Sequence, residues 1–269
     1  MNIIEQSVIG KASADKCEDG IIVTDNFIAV IDGSTSKSPF SFRQGVSNGR
    51  LCMQMVKSYI SSMPADITMS RFCRLITGYI GFIYNQLVTD INIIRREPTF
   101  RMSASAVIYS RHRREIWMIG DCQCMVQRVL FENNKPYEAP IADMRAAYNR
   151  LMLLQGMTVE QLMEKDEGRA HILPLLVKGC AYQNVTYSVI DGFPIPVDKV
   201  RVIPVPNNSE VVLASDGYPF LKPTLQASEH SLRHLVLTDP LCINEYHATK
   251  GLKPGNSSFD DRAYIRFRV

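Results

Sequence analysis

The sequence predicts an α+β fold with mainly antiparallel strands, and three observations carry that prediction. Apolar runs of strand length, bounded by turn residues, lie near the start and return from residue 104 to the end. Two segments between residues 46 and 91 instead repeat apolar residues at helical spacing. The connections between strand candidates are short, leaving little room for the crossover helices that parallel strands require.

Ser7 to Gly10 is a short apolar piece. Ile21 to Thr24 and Phe27 to Ile31 flank Asp25-Asn26, a two-residue hairpin signal. Val46, Met53, Val56, Ile60 and Met63 share one helical face. Phe72, Leu75, Ile76, Tyr79, Ile80, Ile83, Leu87 and Ile91 make a clearer one. Ala104 to Tyr109 and Glu115 to Ile119 flank the polar turn RHRR, a second hairpin. Met125 to Phe131 reads as one further strand. Ile141 to Val177 is helical and more polar, anchored by Leu151, Leu154, Leu162 and Met163. Val185 to Ile190, Val200 to Val205 and Val211 to Ala214 read as strands, Ser231 to Leu237 as a short helix, and Ala263 to Val269 as a closing strand. No repeat or long linker divides the chain, so residues 1–269 are expected to form a single domain.

Bulk properties narrow the function classes. A net charge of +3 with no long Lys/Arg block gives no footprint for nucleic acid. No apolar run approaches the ~18 residues of a membrane span, and no secretory leader is visible at the start. Seven cysteines with scattered spacing suit reduced, buried thiols better than a zinc site, so a cytoplasmic location is expected.

Acidic residues punctuate the strand ends. Glu18-Asp19 precedes IIV, Asp32-Gly33 follows FIAVI, Asp121 follows EIWMIG, Asp216-Gly217 follows EVVLAS, and Asp260-Asp261 precedes the closing run. Carboxylates brought to one point repel, each pair by about 4 kcal/mol at ~4 Å and a surface-like dielectric. A hard dication with oxygen ligands removes that cost. A lone Asp-Gly is weak evidence, because Asp191-Gly192 has the same form and reads as a turn.

The ordered set is stronger. KCEDGIIVTDNFIAVIDG, SASAVIYSRHRREIWMIGDC, EVVLASDGY and FDDRAYIRFRV resemble the successive motifs of the metal-dependent protein phosphatase 2C family, across essentially the whole chain. That resemblance implies a four-layer α-β-β-α sandwich of two antiparallel sheets, with a flap insertion around residues 141–182. It implies two Mg²⁺ or Mn²⁺ ions and a third, weaker position. Asp32 corresponds to the carboxylate bridging both ions, and Gly33 gives its carbonyl to the second. By the same resemblance, Asp216 and Asp260 would complete the first ion, and Asp32, Asp216 and Asp260 would be catalytic through bound metal and water. Glu18 and Asp19 order water around the second ion, and Asp121 belongs to the third position. By the same resemblance, such ions would supply a bridging hydroxide for in-line attack on phosphorus.

The chain also departs from the family pattern. Ser34 stands where many members carry a His, and Asp261 where Asn is more usual. Ala14 replaces the phosphate-gripping Arg, with Lys16 and Lys11 as the substitutes and Lys37 as another. None of the five histidines adjoins a metal motif in sequence. The expected function is hydrolysis of phosphoserine or phosphothreonine in a phosphoprotein substrate. Two alternatives stay open: a regulatory or binding domain that keeps the fold without turnover, and a phosphatase of small phosphomonoesters.

Overall fold

The computed structural model describes residues 1–269. Its strands are β1 (Asn2–Ile9), β2 (Asp19–Val23), β3 (Phe27–Gly33), β4 (Ala104–Ser110), β5 (Glu115–Ile119), β6 (Gln123–Val126), β7 (Val129–Phe131), β8 (Arg201–Pro204), β9 (Glu210–Ala214) and β10 (Arg262–Arg268). Its helices are α1 (Asn48–Ser62), α2 (Met69–Leu87), α3 (Ile91–Arg96), α4 (Glu138–Leu154), α5 (Val159–Glu164), α6 (Glu167–Cys180) and α7 (Leu225–Thr238).

Two five-stranded sheets form, in the orders β1-β10-β9-β6-β7 and β2-β3-β4-β5-β8. Every strand pair is antiparallel. The alternation of side chains along β3 builds two cores at once. Ile28 and Val30 meet Val107, Leu213, Ile265 and Phe267 between the sheets. Phe27, Ala29 and Ile31 face the other way, onto Val56 and Ile60 of α1 and Phe72, Ile76 and Ile80 of α2. Behind the other sheet, Val212, Ala214 and Tyr264 pack on Leu232 and Leu235 of α7. The result is the four-layer α-β-β-α sandwich.

The two hairpins expected around Asp25-Asn26 and RHRR are present. Thr24 closes the first by accepting from the Phe27 amide at 2.9 Å. Other expectations are corrected. Met125 to Phe131 is not one strand: Gln127 and Arg128 take positive φ and fold it into the β6–β7 hairpin. Val185 to Ile190 is not a strand; it makes only isolated bridges, Ile190 to Ala104 and Tyr187 to Gln183, and polar contacts tie down the rest. The last helix begins six residues earlier than its apolar pattern suggests, because Thr224 caps it. The segment 141–182 holds most of α4 and all of α5 and α6, and Arg145 ties it to the loop after α7 at one end of the sandwich.

Candidate metal centre

Both sheets deliver carboxylates to that end. Asp19 opens β2 and lies opposite Asp32 of β3 in the ladder, so register alone places them side by side. Asp121 follows β5 through Gly120, which takes φ +81 and packs against Ser105 where a Cβ would collide. Asp216 follows β9, and Asp260 stands two residues before β10. Gly33 is not in the left-handed region; it is required by close approach, since a Cβ there would strike the carbonyl of Gly49 at the start of α1.

Asp32, Asp121 and Asp216 come together, with one carboxylate oxygen from each within 4.8 Å of the others. They line a cavity of about 370 Å³ together with Asp260, Ser34 and Gly217 on the sheet side. The flap side and the loop after α7 contribute Lys135, Arg169, Tyr246, His247 and Lys250. Asp32 is half-buried and Asp216 open to solvent; desolvation by the surrounding cavity raises both carboxyls above the usual carboxylate value, and their acidic neighbours raise them further. Asp19, 4 % exposed, is raised by burial and by Asp260, Asp216 and Asp261, against one hydrogen bond with Ser215. Its Oδ2 has no hydrogen-bond partner.

Other acids are neutralised by lysines. Burial opposes ionisation of Asp121, but Lys135 on its Oδ2 and the Ser105 hydroxyl more than offset it, and its carboxyl is lowered. Asp260 is likewise lowered despite burial, by Lys250 on Oδ2 and by Lys11, whose Nζ donates to Oδ1 at 2.7 Å. Asp260 thus shares the cavity but stands apart from the three converging acids, held between two ammonium groups. Lys11 also approaches Asp261 at 3.4 Å, so its charge is committed to carboxylates. Lys16 is exposed and lies outside the cavity lining.

Glu18 accepts from Thr35 Oγ1 at 2.7 Å and from Ser47 Oγ at 2.5 Å, which fixes it beside Gly33. Ser47 in turn caps α1. Asp261 serves the backbone instead. Its Oδ1 accepts from the Lys11 amide at 2.8 Å and its Oδ2 from the Glu18 amide at 3.1 Å. It ties the link between β1 and β2 to the start of β10.

The all-oxygen donor set, the unpartnered Asp19 Oδ2 and the mutual repulsion of Asp19, Asp32 and Asp216 fit a hard divalent cation. One histidine does reach the cavity, although no sequence motif marks it. His247 is brought there by the loop after α7, which Asp239 organises by accepting from the amides of Ile243, Asn244 and Glu245. Its Nδ1 meets Asp143 at 2.6 Å and its Nε2 meets Arg150 at 2.7 Å. Arginine can only donate, so Nε2 accepts and Nδ1 carries the proton toward Asp143. Both ring nitrogens are occupied outside the carboxylate cluster. Lys135, Arg169 and Lys250 were equally invisible to motif reading, because isolated cations in helical or loop sequence are usually just solvated.

No family model and no curated protein matches the chain. Solved structures do. The catalytic domain of the serine/threonine protein phosphatase PstP, in complex with two manganese ions, superposes over 98% of this chain and 97% of its own, with TM-score 0.51 and 12% identity. The fold is that of the protein phosphatase 2C family. Stp1 from Staphylococcus aureus aligns over 100% of this chain and 95% of its own at 15% identity and TM-score 0.46. RsbX in complex with magnesium aligns over 99% and 98% at 11% identity and TM-score 0.45. Within this phosphatase 2C fold the acid-bearing strand ends and the flap segment meet at one cavity.

Proposed function

We propose that the protein is a Mg²⁺- or Mn²⁺-dependent phosphomonoester hydrolase acting on phosphoserine or phosphothreonine in proteins. One observation carries this reading. Three carboxylates from the ends of separate strands converge in an open cavity on a fold shared with a manganese-bound serine/threonine phosphatase.

Asp32 and Asp216 would hold the first cation, Asp260 would join them once Lys11 and Lys250 yield it, and Asp121, which converges with Asp32 and Asp216, would serve the weaker third position. Glu18, Asp19 and the Gly33 carbonyl would serve a second. Bound there, such ions supply Lewis-acid stabilisation of phosphoryl oxygens and lower the pKa of water. The chain's own part is positional. The β2–β3 register and the Gly33 contact with α1 fix Asp19 and Asp32 before substrate arrives. The flap helices α4 and α6 form one wall of the cavity, through Glu138, Ala142, Arg169 and Leu176. Lys135 and Lys250 keep Asp121 and Asp260 ionised. No side chain stands as an uncommitted histidine acid at the cavity, so the leaving oxygen would take its proton from water.

The test is turnover of phosphopeptides and an aryl phosphate at millimolar Mn²⁺. Activity is expected, with loss to background in Asp32→Asn and Asp216→Asn while both remain folded. Full activity in either variant would refute the ligand assignment. Comparison with metabolite phosphates separates a small-molecule phosphatase. A second reading, a phosphatase-fold domain without turnover, is favoured by the two ammonium groups on Asp260. It predicts Mn²⁺ binding by calorimetry and no hydrolysis of any ester.

A further inference from the structure

The cavity has two unlike walls. Carboxylates line the sheet side, and three of the lysines near them are paired: Lys135 with Asp121, and Lys11 and Lys250 with Asp260. Two further cations, Lys37 and Arg169, line the cavity without an ion pair, although Glu138 lines it too. Lys37 belongs to the loop after β3, and no hydrogen bond or ion pair engages its ammonium. Burial lowers it below the ordinary lysine value; Lys135 and Arg169 nearby add to this, while Cys180 and Glu138 oppose it. Arg169 stands in the first turn of α6. Its Nη1 donates to the Thr249 carbonyl at 2.6 Å and faces the Thr249 hydroxyl at 3.4 Å, leaving Nε and Nη2 uncommitted.

Arg169 is held in place from both ends. Asp166 caps α6 by accepting from the Arg169 amide at 2.9 Å, and the same carboxylate pairs with the buried Arg145. Thr249 fixes the guanidinium. The fork therefore waits in a defined orientation, which lowers the entropy lost when it grips an anion. By contrast Ala14, which the phosphatase resemblance would make the phosphate grip, lines a different recess with Cys17, Arg50 and Met53. Partly buried cations without counter-charge are costly. Placing two of them opposite converging carboxylates suits a ligand that is anionic on one side and metal-bound on the other.

We propose that Lys37 and Arg169 form the phosphate-binding wall of this cavity, gripping the non-bridging oxygens of a phosphate monoester from the flap side. The assignment rests on the phosphatase reading for its ligand class, but it concerns binding and not turnover. Charge-assisted hydrogen bonds of this kind contribute ~1.5–3 kcal/mol each, about 10- to 100-fold in affinity.

The experiment is calorimetric titration of the Mg²⁺-saturated protein with inorganic phosphate, alongside KM for an aryl phosphate. Lys37→Gln and Arg169→Gln should each weaken phosphate binding about tenfold or more. Mg²⁺ affinity should not fall in either variant, both should remain folded by circular dichroism, and Arg169→Lys should fall between Arg169→Gln and wild type. Lys165→Gln removes an exposed charge that is paired with Glu167 and serves as control. Failure of the wild type to bind phosphate, unchanged binding in folded Lys37→Gln and Arg169→Gln, or an equal loss in the control would each overturn the proposal. If esters are hydrolysed and both variants keep the wild-type KM, this wall is refuted and the phosphatase reading survives. If phosphate binds through these residues but no ester is cleaved, the reverse holds.

Discussion

Asp191 illustrates how one buried carboxylate sets a pH dependence. It sits beside Gly192 at φ +82, and its Asp-Gly form is superficially that of the metal-site pairs. Its partners differ: Oδ1 accepts from Asn184 at 2.8 Å and the Phe193 amide at 3.0 Å, and Oδ2 from Arg101 at 2.9 Å. It is a structural lock between the 184–193 segment and the segment before β4. Burial raises its carboxyl from 3.8 to about 6, with Arg101 only partly offsetting the desolvation. The folded value lies above the unfolded one, so the folded state binds the extra proton. The associated stability is present below 3.8 and lost as pH rises through about 6. A shift of this size corresponds to about 3 kcal/mol. Urea unfolding of wild type and Asp191→Asn between pH 4 and pH 7 isolates it. The wild type's advantage over the variant should shrink by about that amount across the window and then level off. An advantage that grows with pH would mean that the Arg101 pair outweighs desolvation.

At the scale of elements, the flap depends on polar ties more than on a large core. Its own apolar clusters are small, built around Ala146 and Leu162 and around Ile141 and Ile172. Arg145 of α4 is fully buried and joins three segments. Nη1 donates to the carbonyls of Leu241 and Ala248, each at 2.9 Å, and Nε to Asp166 at 2.8 Å. Nη2 reaches the same carboxylate at 2.6 Å as an ion-pair contact without hydrogen-bond alignment. Arg145→Met leaves Asp166 and these carbonyls without their partner and should cost about 3–5 kcal/mol in urea unfolding. The double variant Arg145→Met/Asp166→Asn, which keeps the acceptor that caps α6 but removes the unpaired charge, should recover part of that loss; a larger loss would place the interaction elsewhere. These ties also explain what the sequence could not disclose. Long helices and hairpins announce themselves through local periodicity, as α2 and the β4–β5 pair do. The 185–190 segment has strand-like composition, yet its backbone is satisfied by Asn184 and isolated bridges, one of them to the distant Ala104. The β6–β7 turn rests on two non-glycine residues at positive φ, which carry no turn signature.

Across the whole molecule, the acids were legible because order along the chain survives when local motifs are weak. The cations were not, because Lys135, Arg169 and Lys250 reach the cavity only after the flap and the post-α7 loop close over it. That assembly makes a testable trade between stability and ligand binding. Asp19, Asp32 and Asp216 are held together with raised carboxyls and mutual repulsion, a strain that a dication relieves. Metal at about 100-fold over its dissociation constant should stabilise the fold by about 2.7 kcal/mol. For a chain of this size that raises the melting temperature by about 5–10 °C. Asp32→Asn reverses the sign. It lowers the repulsion in the cluster, where a carboxylate oxygen of Asp216 lies within 4.8 Å of one on Asp32, and its amide is a donor for that neighbour. In EDTA the variant should therefore melt above the wild type, whereas with saturating Mn²⁺ the wild type should melt above the variant. Calorimetric scans in the two buffers decide it. If the two proteins keep the same order in both, the carboxylates are not a strained cation site, and the cavity owes its shape to packing alone.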